Sequence, residues 1–170
     1  MEEIKNLSSL IYAGQYDNDS VSETLSIEEG VEEIAENAFR DFTKIKKLIL
    51  PSSLRRISTA AFAGCVSLSE VQISFGLSEI GDEAFSGCSS LTGVRLPDSV
   101  VHIGEGCFEG CASLSSLKLS ESLRSIGAGA FSFCFNLHTV VIPDSCESVE
   151  FNAFQSCFSL DGQNVEHLDK

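Results

Sequence analysis

A chain of 170 residues is long enough to bury a proper core, and its 43% hydrophobic content is that of an ordinary globular protein. Its formal net charge of −14, from 11 Lys and Arg against 25 Asp and Glu, argues against nucleic acid and anionic membranes as partners, since both need clustered cations. No apolar run approaches the ~20 residues that span a bilayer, so membrane insertion is not expected.

The first residues, Met1-Glu2-Glu3-Ile4-Lys5, are acidic where a secretion signal is basic and then apolar. Nothing in them directs export, and the thiol-rich composition leans toward an intracellular compartment. The sequons Asn6-Leu7-Ser8 and Asn18-Asp19-Ser20 are then chance matches. Residues 1–30 read as a degenerate copy of the unit that follows. Ile11, Tyr16, Leu25 and Ile27 stand in its apolar columns, while Gln15 replaces an Ala and Asp19 a Cys. With Glu2, Glu3, Asp17 and Glu23, this is the composition of a polar N-terminal cap, and Glu2–Ala13 is expected to be helical.

From Val31 the chain repeats every 23 residues. Val31, Leu54, Leu77, Val100, Leu123 and Cys146 open the rows, and Phe39, Phe62, Phe85, Phe108, Phe131 and Phe154 share a later column. A typical row reads Leu77-x-x-Ile80-Gly81, then Ala84-Phe85, Cys88, Leu91, Val94, Leu96 and Pro97. A fixed period of this length marks a solenoid, in which each repeat buries its apolar face against its neighbours. The pairs Leu48/Leu50, Val71/Ile73, Val94/Leu96, Leu117/Leu119 and Val140/Ile142 alternate with other residues, as a strand with one buried face does. Pro51, Pro97 and Pro143 end those strands, and Gly64, Gly87 and Gly110 mark tight bends before the Cys column. Five steps of about 4.8 Å give a rod only ~24 Å long. Residues 31–160 thus form six repeats. In 161–170, Gln163 and Val165 fall in the strand columns and a charged tail follows, the whole being one structural domain.

The unit L-x-x-I-G-x-x-A-F-x-G-C-x-x-L-x-x-I-x-L-P closely resembles that of the BspA-like leucine-rich repeats, over residues 31–160 with a weaker copy back to about Leu10. The resemblance implies an α/β-type solenoid, right-handed and curved, with one short parallel strand per turn on the concave face. It also implies a surface antigen or adhesion protein.

Cys65, Cys88, Cys111, Cys134 and Cys157 form one column; Cys107 stands in the Ala column and Cys146 in the row-opening one. Parallel Cβ vectors about 4.8 Å apart exceed the ~3.8 Å preferred by a disulfide, and a linear column does not converge on zinc. Buried free thiols are expected, with Cys157 the most reactive. No metal or cofactor is implied. Charges alternate between rows in Glu33, Arg56, Glu79 and His102, in Glu32 with Arg55, and in Arg124 with Glu147. Such lateral pairs support register. The cations Arg40, Lys44, Lys46, Lys47, Arg55 and Arg56 are expected to face the acids of Glu28–Glu36.

Two surfaces could carry function. On the concave face the outward positions are Lys47 and Ile49, Glu70 and Gln72, Gly93 and Arg95, Ser116 and Lys118, Thr139 and Val141. Arg95 and Lys118 are adjacent cations on an acidic chain and suit a partner with a central acidic group. The competing reading is an ordinary solvated sheet. The second surface is a departure from the repeat: Phe133, Phe135, Phe151 and Phe158 replace small or polar residues, and such patches mark interfaces. Catalysis finds little support. His102, His138 and His167 occupy different columns and imply no dyad with Cys or Ser. The expected function is non-enzymatic protein recognition, with self-association through the Phe-rich end as the alternative.

Overall fold

The computed structural model describes residues 11–12, 18–160 and 165–166. In chain order the strands are β1 (Ile11–Tyr12), β2 (Thr24–Ser26), β3 (Glu33–Ile34), β4 (Lys47–Ile49), β5 (Arg56–Ile57), β6 (Glu70–Gln72) and β7 (Glu79–Ile80). They continue with β8 (Gly93–Arg95), β9 (His102–Ile103), β10 (Ser116–Lys118), β11 (Ser125–Ile126), β12 (Val140–Val141), β13 (Ser148–Val149) and β14 (Val165–Glu166). Each 23-residue coil therefore lays down two strands instead of the expected one. The odd-numbered strands β1 to β13 form a seven-stranded parallel sheet, β2 to β10 a five-stranded one, and β12 pairs with β14. Register is fixed by the period, as in Leu25↔Leu48 and Ile34↔Ile57.

Among the described residues there is no helix, so the fold is a parallel β-solenoid and the α/β expectation is corrected. The arc that carries the core Phe shows why. In the coil of Phe39 the N–H groups of Asn37, Phe39 and Asp41 donate forward to the carbonyls of Thr59, Ala61 and Ala63, at 3.1, 2.8 and 2.7 Å. The alternate N–H groups of Ala38, Arg40 and Phe42 close turns on the carbonyls three residues back. A helix needs every N–H to point the same way along its own axis. Two residues per coil also take left-handed backbone. Asn37, Ala60, Glu83, Gly106, Gly129 and Asn152 have φ between 52° and 61°, and Asp41, Gly64, Gly87, Gly110, Phe133 and Ser156 between 58° and 73°. A right-handed helix cannot pass through such positions.

The core is a file of rings. Successive pairs from Phe39 to Phe154 stack with centroids 5.1 to 5.4 Å apart and planes within 7° of parallel. Beside it runs the thiol column. Cys65, Cys88, Cys111, Cys134 and Cys157 each donate Sγ–H to the carbonyl of the Phe one coil back, Phe39, Phe62, Phe85, Phe108 and Phe131, at 3.1 to 3.3 Å. The column selects Cys because a small apolar side chain with one donor fits there. Where Gly81, Gly104 and Gly127 stack, backbone meets backbone. A Cβ on Gly104 would lie 2.5 Å from the amide nitrogen of Asp82.

The ends depart from strict spacing. Ile34 faces Tyr12, not Ile11, so the first coil is one residue shorter than the sequence columns imply. The helix expected over Glu2–Ala13 is replaced at Ile11–Tyr12 by β1; its other residues, with Gln15 and Tyr16, lie outside the described residues. Leu25 and Ile27 are buried as expected. At the other end Val165 faces Val140, where the columns would set it beside Ile142, and Gln163 lies outside the described residues.

Lateral ion pairs form at Arg56–Glu79 (2.5 Å) and Arg124–Glu147. Glu32 and Arg55 do not pair, because Arg55 instead donates to the carbonyls of Ser52 and Leu54. Arg55 and Arg56 lie one coil from Glu32 and Glu33 as expected, but the ion pairs of the basic cluster are with other acids: Lys44 meets Asp19, Lys46 meets Glu23 and Lys47 meets Glu70, at 2.6, 2.6 and 2.9 Å.

Phe108→Ala removes a buried ring from the middle of the file, and large core truncations cost ~3–5 kcal/mol. Urea denaturation should show a loss of that order. An unchanged midpoint would refute the ring file as the source of stability.

Candidate functional site

The five-stranded sheet gathers most of the sequence-derived candidates in two outward rows. Thr24, Lys47, Glu70, Gly93 and Ser116 form one; Ser26, Ile49, Gln72, Arg95 and Lys118 the other. Thr139 and Val141 are exposed but lie outside this ladder: no pair is registered between β10 and β12, and β12 pairs with β14 on its other edge. Charge along the ladder is graded. Lys47 is paired with Glu70, and that contact together with the Gln72 amide holds the Glu70 carboxyl below its ordinary range. Arg95 sits directly opposite Lys118. Lys118 approaches Glu121 only to 3.9 Å. Among the described residues, Arg95 alone of the Lys and Arg side chains has neither an ion pair nor a hydrogen bond.

Next to Arg95 the sheet parts. β6 and β8 register only at Glu70↔Gly93, whereas β2–β4, β4–β6 and β8–β10 each register three pairs. The N–H groups of Ile27, Leu50 and Leu96 donate to the carbonyls of Ile49, Gln72 and Lys118, at 3.0, 3.0 and 2.9 Å. The equivalent N–H of Ile73 has no partner among the described residues. A hollow of about 370 Å³ lies there, lined by Val71, Gln72, Ile73, Phe75, Arg95, Leu96, Pro97, Asp98 and Lys118. Val71 and Ile73 are only half-buried, while their counterparts Leu48, Leu50, Val94 and Leu96 are buried.

Phe75, on the rim, is 86% exposed, the highest of the large apolar side chains described. Sequence reasoning missed it, although the signal was present. Its column otherwise holds Ser52, Asp98, Glu121 and Asp144, the same contrast that singles out the C-terminal Phe residues.

Those C-terminal residues are partly united. Phe135 stacks on Phe158 at 5.6 Å with planes 2° apart, and Phe133 meets Phe135 edge-on at 6.2 Å. Phe151 is 80% exposed and shares with Phe133 a separate hollow of about 250 Å³, beside Glu83, Glu105 and Glu109. Phe133 has φ 61°, in the column where Gly64, Gly87 and Gly110 stand. A bulky side chain there is a strained outlier, and such strain clusters at functional positions.

Catalytic geometry is thin. His102 Nδ1 lies 2.7 Å from Ser125 Oγ, a contact between adjacent coils that the column comparison overlooked, since the two positions differ by one period. Glu79 flanks His102 in the sheet register but is held by Arg56. No described carboxylate lies within 4 Å of His102, so no acid orients the ring as a general base requires. Among the described residues no three His, Cys, Asp or Glu side chains converge as metal ligands, and no helix is long and apolar enough to cross a membrane. His167 lies outside the described residues.

All seven thiols are free. Burial pushes Cys65 and Cys134 from the ordinary 9.0 up to about 12, and holds Cys88, Cys107 and Cys111 well above that ordinary value. Cys157 is buried too, so the accessible thiol is the half-buried Cys146, which corrects the expectation. Its place at the row opening of the last coil leaves one side uncovered by a following described coil. Burial raises the Cys146 thiol as well, but it is the least enclosed of the seven. Native protein at about pH 8 should therefore show one thiol reacting ahead of the others toward a chromogenic disulfide, and Cys146→Ser should remove that phase. Several fast thiols would contradict the packed column.

Comparison with known proteins agrees with this geometry. The family described as BspA type leucine rich repeat region matches in six copies, over residues 9–94 and 32–161. A leucine rich cell surface protein of Faecalibacterium prausnitzii is 32% identical, over 81% of this chain and 37% of its own, with a TM-score of 0.74. A leucine-rich repeat protein of Bacteroides ovatus is 31% identical, over 84% and 37%, with a TM-score of 0.78. The T. pallidum leucine rich repeat protein is 27% identical, over 84% and 80%, with a TM-score of 0.60. The chain thus spans little more than a third of the length of the first two. No curated protein sequence is significantly similar to it.

Proposed function

This chain belongs to the BspA-type leucine-rich repeat family, and from that premise we propose that it is a non-enzymatic module recognising a protein partner through its five-stranded sheet. The observation that carries the reading is Arg95, a cation without a partner among the described residues, set opposite Lys118 on a chain of net charge −14. A cation left unpaired on so acidic a surface favours an acidic partner and steers its approach. Lys47, Ile49, Glu70 and Gln72 extend the contact along the ladder, and Thr139 and Val141 extend it beyond. In this reading residues 31–160 are the binding repeats, residues 1–30 a cap, and residues 161–170 a last strand with a tail. The F. prausnitzii relative is described as a cell surface protein, which supports display of such a module outside a cell, where recognition of a partner would serve adhesion.

Affinity capture from an extract of the source cell tests this. A partner retained by the unmodified chain should be lost with Arg95→Glu combined with Lys118→Glu, while the melting temperature stays the same because both side chains are exposed. Equal capture by both baits would remove the sheet from consideration.

The strained Phe133 and the exposed Phe135–Phe158 stack favour a second reading, self-association through the C-terminal end. A ring held at a position that suits Gly, beside an exposed stacked pair, favours contact over a folding role. Light scattering on the unmodified chain should then give more than a monomer's mass, and Phe135→Ser with Phe158→Ser should return it to a monomer. A monomer before mutation rules this reading out.

A further inference from the structure

We propose that the gap between β6 and β8 is an anchor hollow for an acidic peptide, taking one aromatic or large aliphatic side chain against Phe75 and a neighbouring carboxylate at Arg95 and Lys118. The proposal rests on the reading of the five-stranded sheet as the binding surface and names what that surface recognises.

Four independent features meet at this one place. The sheet loses its ladder after Glu70↔Gly93, which opens a space of about 370 Å³. That is at the lower end of the roughly 300–1,000 Å³ of ligand pockets, and suits a single large side chain. The floor is apolar and incompletely covered, since Val71 and Ile73 are half-buried where equivalent residues in the adjacent coils are buried. On the rim Phe75 exposes 86% of its surface and occupies a turn position that is Ser, Asp or Glu in the equivalent coils. An exposed ring offers contact area with little conformational entropy to lose on binding.

The polar side is equally specific. Arg95 has no partner among the described residues, and Lys118 is opposite it with only a 3.9 Å contact to Glu121. Asp98, the one acid lining the hollow, keeps its charge, with its Oδ1 accepting the backbone N–H of Glu121 at 3.1 Å. With Arg95 and Lys118 against Asp98, the lining carries one more cation than acid on a chain of net charge −14. An anionic ligand would be attracted to this site and repelled by most of the remaining surface, which is how charge complementarity fixes position. The N–H of Ile73, without a partner among the described residues, offers a backbone donor to an extended chain laid along the gap. Together these match a peptide: an apolar side chain for the floor and ring, a carboxylate for the cations, a carbonyl for the N–H.

Random peptides displayed on phage, selected against the full chain, give the probe. Enriched peptides should place Asp or Glu within two residues of an aromatic or large aliphatic side chain. Labelled synthetic copies, followed by fluorescence anisotropy, should bind about tenfold more weakly to Phe75→Ala, and about tenfold more weakly again when the peptide acid becomes an amide. Affinity should fall with salt. Phe75 is exposed, so an unchanged melting temperature will show that its variant remains folded. Failure to enrich, or enrichment without acids, overturns the proposal. Binding lost in Arg95→Gln with Lys118→Gln but retained in Phe75→Ala overturns the hollow and leaves the sheet as the binding face. Binding retained in both variants and lost in Phe135→Ser with Phe158→Ser overturns the hollow and the sheet together.

Discussion

The stacked Phe file and the forward hydrogen bonds beside it impose the pitch on which everything else depends. Ring centroids 5.1 to 5.4 Å apart and N–H to carbonyl bonds of 2.7 to 2.8 Å from Phe39, Phe62, Phe85, Phe108 and Phe131 repeat coil after coil. Once that spacing is fixed, every other column is carried along with it. The Cys thiols reach the Phe carbonyls of the coil before, and Gly104 must lack a side chain because the coils approach too closely there. The solenoid tolerates little variation at these positions and much on its outer rows, which is where recognition can be written.

The same pitch explains where a site can open. In a ladder with every rung made, the inward residues are sealed and only isolated side chains project. Between β6 and β8 the rungs stop after one pair, and the core residues Val71 and Ile73 become accessible beneath Phe75. At this position Ser74 replaces the Pro found at Pro51, Pro97 and Pro143, and its hydroxyl donates to the carbonyl of Leu50 at 2.8 Å. The ladder also stops between β10 and β12, where Ser120 again stands in the Pro column, and what sets the β6–β8 step apart is the exposed Phe75 beside Arg95 and Lys118. Departures of this kind are where binding surfaces of repeat proteins can differ while the core stays the same.

Two further departures have different physical characters. Phe133 occupies a left-handed position that is Gly in the three coils before it and Ser156 in the next, so its ring is held at the expense of backbone comfort. Cys107 replaces an Ala in the buried column beside the ring file and fits without strain, because a thiol is a small apolar group there. The first departure leaves its ring exposed at the surface; the second is absorbed by the core.

The repeat period by itself determined the solenoid, the buried columns and the set of outward residues, because a 23-residue unit that buries one face has few ways to stack. It also supplied Arg95 and Lys118 as neighbours, since residues one period apart are adjacent by construction. Column arithmetic could not give the backbone of the Phe arc. Two left-handed residues per coil and alternating bonds forward and back make stacked turns where a helix was expected, and neither is visible in side-chain pattern. Nor could it give the slips of one residue at Tyr12 and two at Val165, which only strand pairing reveals. The hollow belongs to the tertiary structure for the same reason. Whether adjacent coils complete their hydrogen bonds is a property of two backbones together, and the letters of either repeat are silent about it.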